Sequence, residues 1–337
     1  MGQGHPGGQH QARLTVATQF KRVDLSRRRA IAAAGGAVLT SALPWRAAEA
    51  QGAEGLVMTR PIPTSGERLP IVGIGTAVIF DYQNDPAKQA ARREVIRTLI
   101  AGGGRLIDTA AAYGSAEERV GEIVAELGVK EQGVRDKLFL ATKFSFDLSR
   151  AEAEASFRES LRRLRTDRVD LMQAWNVTDG GYTLDLLREW KKAGLCRYVG
   201  ITTSQVRSYG AMAKVLTREK PDFLQVNYSL GALEAEKTLL PAARDAGAAV
   251  LVNLPFGRNS LFRTAGNRPL PDFAAEFGAK TWAQFFLKFI LGHPAVTAVI
   301  PGTDKPEYML DNLDAGRGAL PDAAMRKRIV QYWESLA

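Results

Sequence analysis

Between residues 71 and 300 the chain alternates short β-branched or apolar runs with amphipathic stretches of helical length. That alternation confines it to parallel strands joined by crossover helices. The runs cover residues 71–75, 105–108, 138–143, 169–175, 198–201, 223–227, 249–253 and 295–300. Eight such units favour an α/β fold closed on itself, a (β/α)8 TIM barrel over residues 51–337. Within residues 151–165 the helical period is explicit: Ala155, Phe157, Leu161 and Leu164 gather on one side, while Arg158, Glu159, Arg162 and Arg163 face out. Glu159 and Arg163 are spaced as an i,i+4 pair. Ahead of the first run, Thr64-Ser65-Gly66-Glu67 reads as the turn of an N-terminal β-hairpin that plugs the bottom of the barrel.

The formal charge of +9 suggests an anionic partner until it is divided along the chain. Arg13, Lys21, Arg22, Arg27, Arg28, Arg29 and Arg46 face only Asp24 and Glu49 within residues 1–50, so over half of the excess lies there. The remainder is mildly basic, with no basic stripe, which argues against nucleic acid as a partner. The single cysteine, Cys196, can form no internal disulfide. His5 and His10 precede the barrel, leaving His293 as its only imidazole. A His–Asp relay or a metal site built on histidines is thereby excluded, and no metal is expected.

Residues 1–50 have the order of an export signal. Ser26-Arg27-Arg28 precedes a weakly apolar run from Ala30 to Pro44 that contains Gly35-Gly36 and is too short to span a bilayer. Ala48-Glu49-Ala50 then supplies the small-x-small pattern of a cleavage site. The arginine pair and the mild apolar run resemble a twin-arginine signal, which carries folded proteins to the periplasm. A basic tail without an export role is the alternative.

In barrels of this kind the working side chains stand at the C-terminal ends of strands. Asp108 ends the second run and Lys143 the third, with Tyr113 in the loop between them. Taken singly, each has an ordinary reading as a cap, a rim aromatic or a solvated strand end. Together, a carboxylate and an ammonium beside a phenol form an arrangement that eases the phenol's proton loss and lets it act as a general acid.

Leu106-Ile107-Asp108-Thr109-Ala110, Tyr113-Gly114-Ser115-Ala116-Glu117 and Ala141-Thr142-Lys143 resemble the aldo-keto reductase signature. Further segments follow in family order, from Gly73-Ile74-Gly75-Thr76 through Gln225-Val226-Asn227-Tyr228-Ser229 to Ile300-Pro301-Gly302-Thr303 and Asp311-Asn312. The resemblance implies NADPH-dependent reduction of an aldehyde or ketone, with Tyr113 protonating the oxygen and Asp108 and Lys143 tuning it. By position, Thr202, Thr203 and Gln225 would hold the carboxamide, and Gly302, Thr303, Lys305, Asp311 and Asn312 the adenosine half. Gly75, Thr76, Asp108, Phe256 and Arg258 complete the implied NADP(H) set. Arg258 and Arg263, with the backbone amides of residues 257–263, suit a pyrophosphate, and a surface loop with incidental arginines is the alternative. The loop 257–273 is expected to cover the cofactor.

The chain departs from the family pattern where the fourth strand usually ends in a catalytic histidine. Trp175 stands there, and an indole N–H donates one hydrogen bond but does not titrate. Three readings stay open: turnover with Trp175 as an orienting donor near Asn176, altered chemistry in a tighter apolar pocket, or an exported NADP(H)-binding barrel with little or no turnover that acts as a sensor or regulator. Gly302 and Tyr308 occupy places that are basic in many NADPH-preferring members, so Lys305 is the expected 2′-phosphate partner and NAD(H) is the alternative. Asn253 stands where many members stack an aromatic ring on the nicotinamide. The expected pocket lining of Phe80, Phe144, Trp175 and Phe256 favours a small uncharged carbonyl compound, handled by a monomer without a membrane span.

Overall fold

The structure, a computed structural model, describes residues 55–145, 147–177 and 181–336. The export leader expected over residues 1–50 lies outside them. The described chain opens with an antiparallel hairpin of β1 (Thr59–Pro61) and β2 (Arg68–Pro70). There follow β3 (Ile74–Gly75), α1 (Pro86–Ala101), β4 (Leu106–Asp108), α2 (Ala116–Lys130) and the short α3 (Val134–Lys137). Next come β5 (Phe139–Ser145), α4 (Arg150–Arg163), β6 (Val169–Trp175), α5 (Gly181–Lys192), β7 (Cys196–Thr203), α6 (Tyr209–Glu219) and β8 (Phe223–Asn227). The chain continues through α7 (Glu234–Lys237), α8 (Leu239–Ala246), β9 (Ala249–Asn253), α9 (Ser260–Ala265), α10 (Trp282–Leu291), β10 (Ala298–Val299), α11 (Pro306–Asp314) and α12 (Ala323–Glu334).

Strands β3 to β10 form one parallel eight-stranded sheet in chain order. Its seam is closed by the Val72–Val299 bridge, by the Gly73 N–H on the Val299 carbonyl at 2.9 Å and by the Gly75 N–H on the Pro301 carbonyl at 3.2 Å. The sequence reading of a (β/α)8 barrel is therefore the observed fold. The eighth strand is shorter than residues 295–300 because the chain enters it through a turn, with the Val296 N–H on the His293 carbonyl at 3.1 Å.

Local chemistry starts the helices where the crossovers need them. Asp85 Oδ1 accepts the Ala87 and Lys88 N–H groups ahead of α1, where Pro86 occupies the first turn. Ser149 and Glu152 form a reciprocal capping box on α4. On α4 the buried face is Ala153, Phe157 and Ser160, continued by Leu164 just past its end, whereas Ala155 is exposed and Leu161 half-buried. The expected inward position of Ala155 is thus corrected by two residues. Gly121 of α2 lies so close to the end of α4 that a Cβ there would run into the Arg163 carbonyl. Glu159 Oε1 accepts the Arg163 Nε at 2.9 Å, the i,i+4 pair read from the spacing.

Two cores result. Outside the cylinder, helices cover one face of every strand; inside, Leu106, Phe139, Leu171, Tyr198, Phe223 and Ala249 fill the lower bore. Ile62 and Leu69 of the hairpin join that inner cluster and close the bottom. Glu67 secures the plug by accepting the Tyr198 hydroxyl at 2.7 Å and pairing with Arg197.

Candidate active site

Side chains alternate between the bore and the helices along each strand. Leu106 and Asp108 face inward on β4, and Phe139, Ala141 and Lys143 do so on β5. Leu171, Gln173 and Trp175 follow on β6, then Phe223 and Gln225 on β8. The lower members of each set are apolar, and the upper members form a polar layer at the C-terminal strand ends.

Asp108 is the hub of that layer. Its Oδ2 accepts Lys143 Nζ at 2.6 Å, and its Oδ1 accepts Gln225 Nε2 at 2.7 Å and Gln173 Nε2 at 3.1 Å. Lys143 Nζ donates a second bond to the Thr109 carbonyl at 2.9 Å. Burial opposes the ammonium charge, but Asp108 and Tyr113 outweigh it and raise the Lys143 pKa above the ordinary lysine value. Lys143 Nζ lies 4.9 Å from the centroid of the Tyr113 ring. The structure therefore brings Asp108, Tyr113 and Lys143 together.

Tyr113 owes its placement to a tight turn. Its N–H bonds the Ala110 carbonyl at 3.0 Å, and Gly114 follows at φ 56°. A Cβ at Gly114 would collide with the Asp81 carboxylate, which accepts both the Ser115 N–H and the Ser115 hydroxyl at 3.0 Å. Those two donors hold the Asp81 carboxyl below the usual carboxylate range.

Above the layer opens a cavity of about 890 Å³. Gly75, Thr76, Asp108, Tyr113, Lys143, Trp175, Thr202, Gln225, Phe256, Arg258 and Gly302 all line it. Val78, Leu254, Arg258 and Asn259 in its wall have positive φ of 66°, 49°, 53° and 68°, a conformation that costs a non-glycine residue energy and recurs where side chains are aimed at a site.

Several expected residues fall elsewhere. Thr203 neighbours Thr202, so alternation turns it away from the bore; its hydroxyl donates to Asn176 Oδ1 at 3.0 Å and accepts the Gln205 N–H at 3.1 Å. Phe80 is buried in the outer core, because the turn closed by the Phe80 N–H on the Thr76 carbonyl presents Val78 and Ile79 to the cavity instead. Thr303, Lys305, Asp311 and Asn312 lie beyond the cavity wall. The Asp311 carboxylate is engaged by Thr281 Oγ1 at 2.9 Å and Gln284 Nε2 at 2.7 Å, and the Lys305 ammonium stands 5.0 Å from the Tyr308 ring centroid. Arg263 donates to the Arg258 carbonyl at 3.4 Å and does not reach the cavity wall. His293 accepts the Ala295 N–H and packs edge-on against Tyr228. Its carbonyl receives Arg60 of the bottom hairpin, so it sits at the opposite end from the cavity.

Gln173 was missed by the sequence reading, although its place two residues before Trp175 puts it on the same strand face. Val78, Leu254 and Ser156 also line the cavity. They come from loops and a helix, where strand alternation gives no guidance. Among the described residues there is no cluster of His, Cys, Asp and Glu able to hold a metal ion, and no helix is long and apolar enough to cross a membrane.

Residues 71–332 match the aldo/keto reductase family. The chain belongs to the aldo/keto reductase family. An aldo-keto reductase of Mycolicibacterium smegmatis is 31% identical over 256 residues, covering 73% of this chain and 81% of the relative. The aldo-keto reductase YhdN of Bacillus subtilis is 31% identical over 199 residues, and the match spans 55% of this chain and 57% of that protein. A solved aldo-keto reductase of Klebsiella pneumoniae in complex with NADPH superposes with a TM-score of 0.67 at 24% identity, covering 80% of this chain and 92% of that one. The likeness shows a common fold.

Proposed function

We propose that this member of the aldo/keto reductase family is an oxidoreductase that reduces an uncharged aldehyde or ketone with NADPH, Tyr113 serving as the general acid. The observation that carries the proposal is the buried ammonium of Lys143, held 2.6 Å from Asp108 and 4.9 Å from the Tyr113 ring at the wall of a deep cavity. A tyrosine acid needs its phenolate stabilised, and a fixed cation beside the ring does that. Asp108 in turn keeps Lys143 charged inside the barrel. The indole N–H of Trp175 supplies an orienting hydrogen bond to the carbonyl oxygen, in the place where the family pattern has a histidine.

The residues present suit a nicotinamide cofactor. Thr76 Oγ1 and Asn253 Oδ1 are buried beside the cavity without a hydrogen-bond partner, and such groups call for a polar ligand. Together with Thr202 and Gln225 they would hold its carboxamide end, while Arg258 would pair with its phosphates. When bound, NADPH supplies the hydride. The cavity wall favours an uncharged substrate: Asp108 and Lys143 neutralise each other, and Val78, Ile79, Phe144, Leu148, Trp175 and Leu254 are apolar or aromatic.

Residues 1–50 complete the proposal as a twin-arginine signal that delivers the folded barrel, a monomer, to the periplasm. Support comes from Ser26-Arg27-Arg28, the short apolar run after it and Ala48-Glu49-Ala50. The test of the function is NADPH consumption by residues 51–337 against a panel of aldehydes, with Tyr113→Phe beside the parent. Consumption abolished by that variant is the expected result. Tight NADPH binding with no consumption by the parent would favour the sensor reading, which the distance of His293 from the cavity supports.

A further inference from the structure

Asp108 Oδ1 accepts two amide donors, one for each of its lone-pair sites, and the two donors come from different places. Gln225 Nε2 is the closer, at 2.7 Å, and Gln225 forms part of the cavity wall. Gln173 Nε2 stands at 3.1 Å, and Gln173 is fully buried below the wall without lining it. The two differ, then, in what they can meet. An occupant of the cavity that turns the Gln225 amide toward itself draws it off Asp108, whereas Gln173 does not line the cavity and keeps its bond. A buried carboxylate oxygen that loses its donor without replacement costs far more than one that keeps a second.

The barrel is built to accommodate this second donor. Gly200 is paired with Gln173 in the β6–β7 register, and a Cβ at Gly200 would lie 3.1 Å from Gln173 Cγ and 3.1 Å from Phe223 Cβ. The absent side chain leaves the bore open for Gln173 to cross from β6 toward β4. Gln173 also bears a cost: its Oε1 is buried without a partner, a penalty that an apolar residue of the same length would avoid.

We propose that Gln173 is a positioning residue that keeps the Asp108 carboxylate oriented toward Lys143 when Gln225 turns its amide to a ligand in the cavity. This rests on the reading of the cavity as a nicotinamide cofactor site. Gln173 touches neither cofactor nor substrate and acts through Asp108. Cofactor binding frees Gln225 without stranding Oδ1, so the Asp108–Lys143 pair survives loading of the site.

The test is Gln173→Met, which keeps the length and removes the donor, with Gln173→Leu as a second apolar replacement. In a fluorescence titration with NADPH, each variant is expected to bind about tenfold to a hundredfold more weakly than the parent, the loss of one hydrogen bond to a charged group. The melting midpoint without cofactor should fall by no more than about 3 °C, because Gln225 still holds Oδ1. Affinity equal to the parent's overturns the proposal. A second measurement needs no cofactor. The midpoint loss in Gln173→Met with Gln225→Met should exceed the sum of the two single losses by at least about 3 °C, and additivity within about 1 °C overturns the backup role. A parent chain that binds no NADPH refutes the cofactor reading by itself, while the melts still decide whether Gln173 and Gln225 back each other at Asp108.

Discussion

Lys143 Nζ and Asp108 Oδ2 meet at 2.6 Å inside the barrel, with both side chains almost wholly removed from solvent. An ion pair so placed is held by mutual compensation, and each partner alone would be a buried uncompensated charge. Lys143→Met is therefore expected to destabilise the protein by about 3–5 kcal/mol in urea unfolding. Combining it with Asp108→Leu should recover part of that loss. A single-variant loss below about 1 kcal/mol would show that the pair is solvated in solution.

Trp175 can donate a hydrogen bond but cannot move a proton. If its place is the one where the family pattern has a histidine, Trp175→His should raise kcat by at least about tenfold, within the range of a general acid–base contribution. An unchanged rate in the NADPH assay would remove the indole from the proposed chemistry.

The contact of α2 with α4 admits no side chain at Gly121. Besides the Arg163 carbonyl, a Cβ there would come within 2.8 Å of the Leu164 carbonyl carbon. Both obstacles are backbone, so neither rotates aside. Gly121→Ala should cost at least about 2 kcal/mol in denaturant unfolding despite alanine's better helix propensity, and a neutral or stabilising outcome would mean that the helices can part there freely.

His293 gives the fold an acid limit. Burial, then the positive charge of Arg326, pushes its pKa down to about 4 from 6.5, against a smaller upward pull from Glu236, with Arg60 and Arg244 adding to the downward one. Between those two values the folded chain binds fewer protons at this site than the unfolded chain does. The contribution of His293 to stability is thus complete above about pH 6.5 and lost as the pH falls towards 4. His293→Asn, whose amide oxygen can still accept the Ala295 N–H, should flatten the melting midpoint across that window. The same slope in both proteins would assign the acid sensitivity elsewhere.

Export by the twin-arginine route requires both guanidinium groups of the pair. Replacing Arg27 and Arg28 by Lys should leave the protein inside the inner membrane on cell fractionation. Unchanged delivery to the periplasm would exclude this route.

The barrel was legible because eight strands each carry their own short-range pattern, and parallel strands buried on both faces read as apolar runs. Asp108 and Lys143 were legible as polar interruptions at strand ends, and Tyr113 as the phenol in the loop between them. Thr203 shows where that reading stops short: adjacent strand residues cannot both face the bore, so one of Thr202 and Thr203 had to point outward. Alternation counted back from Trp175 would also have found Gln173. Phe80 and Ala155 are different cases. The turn at residues 76–80 follows no period, and Ala153 and Ala155 are chemically identical candidates whose choice is made by the packing of α4 against its neighbours rather than by either residue.

The hairpin stopper at the base of the cylinder leaves the cavity as a cul-de-sac. With the lower bore filled and stoppered, no passage runs through the cylinder, so whatever enters the cavity from the strand ends also leaves on that side.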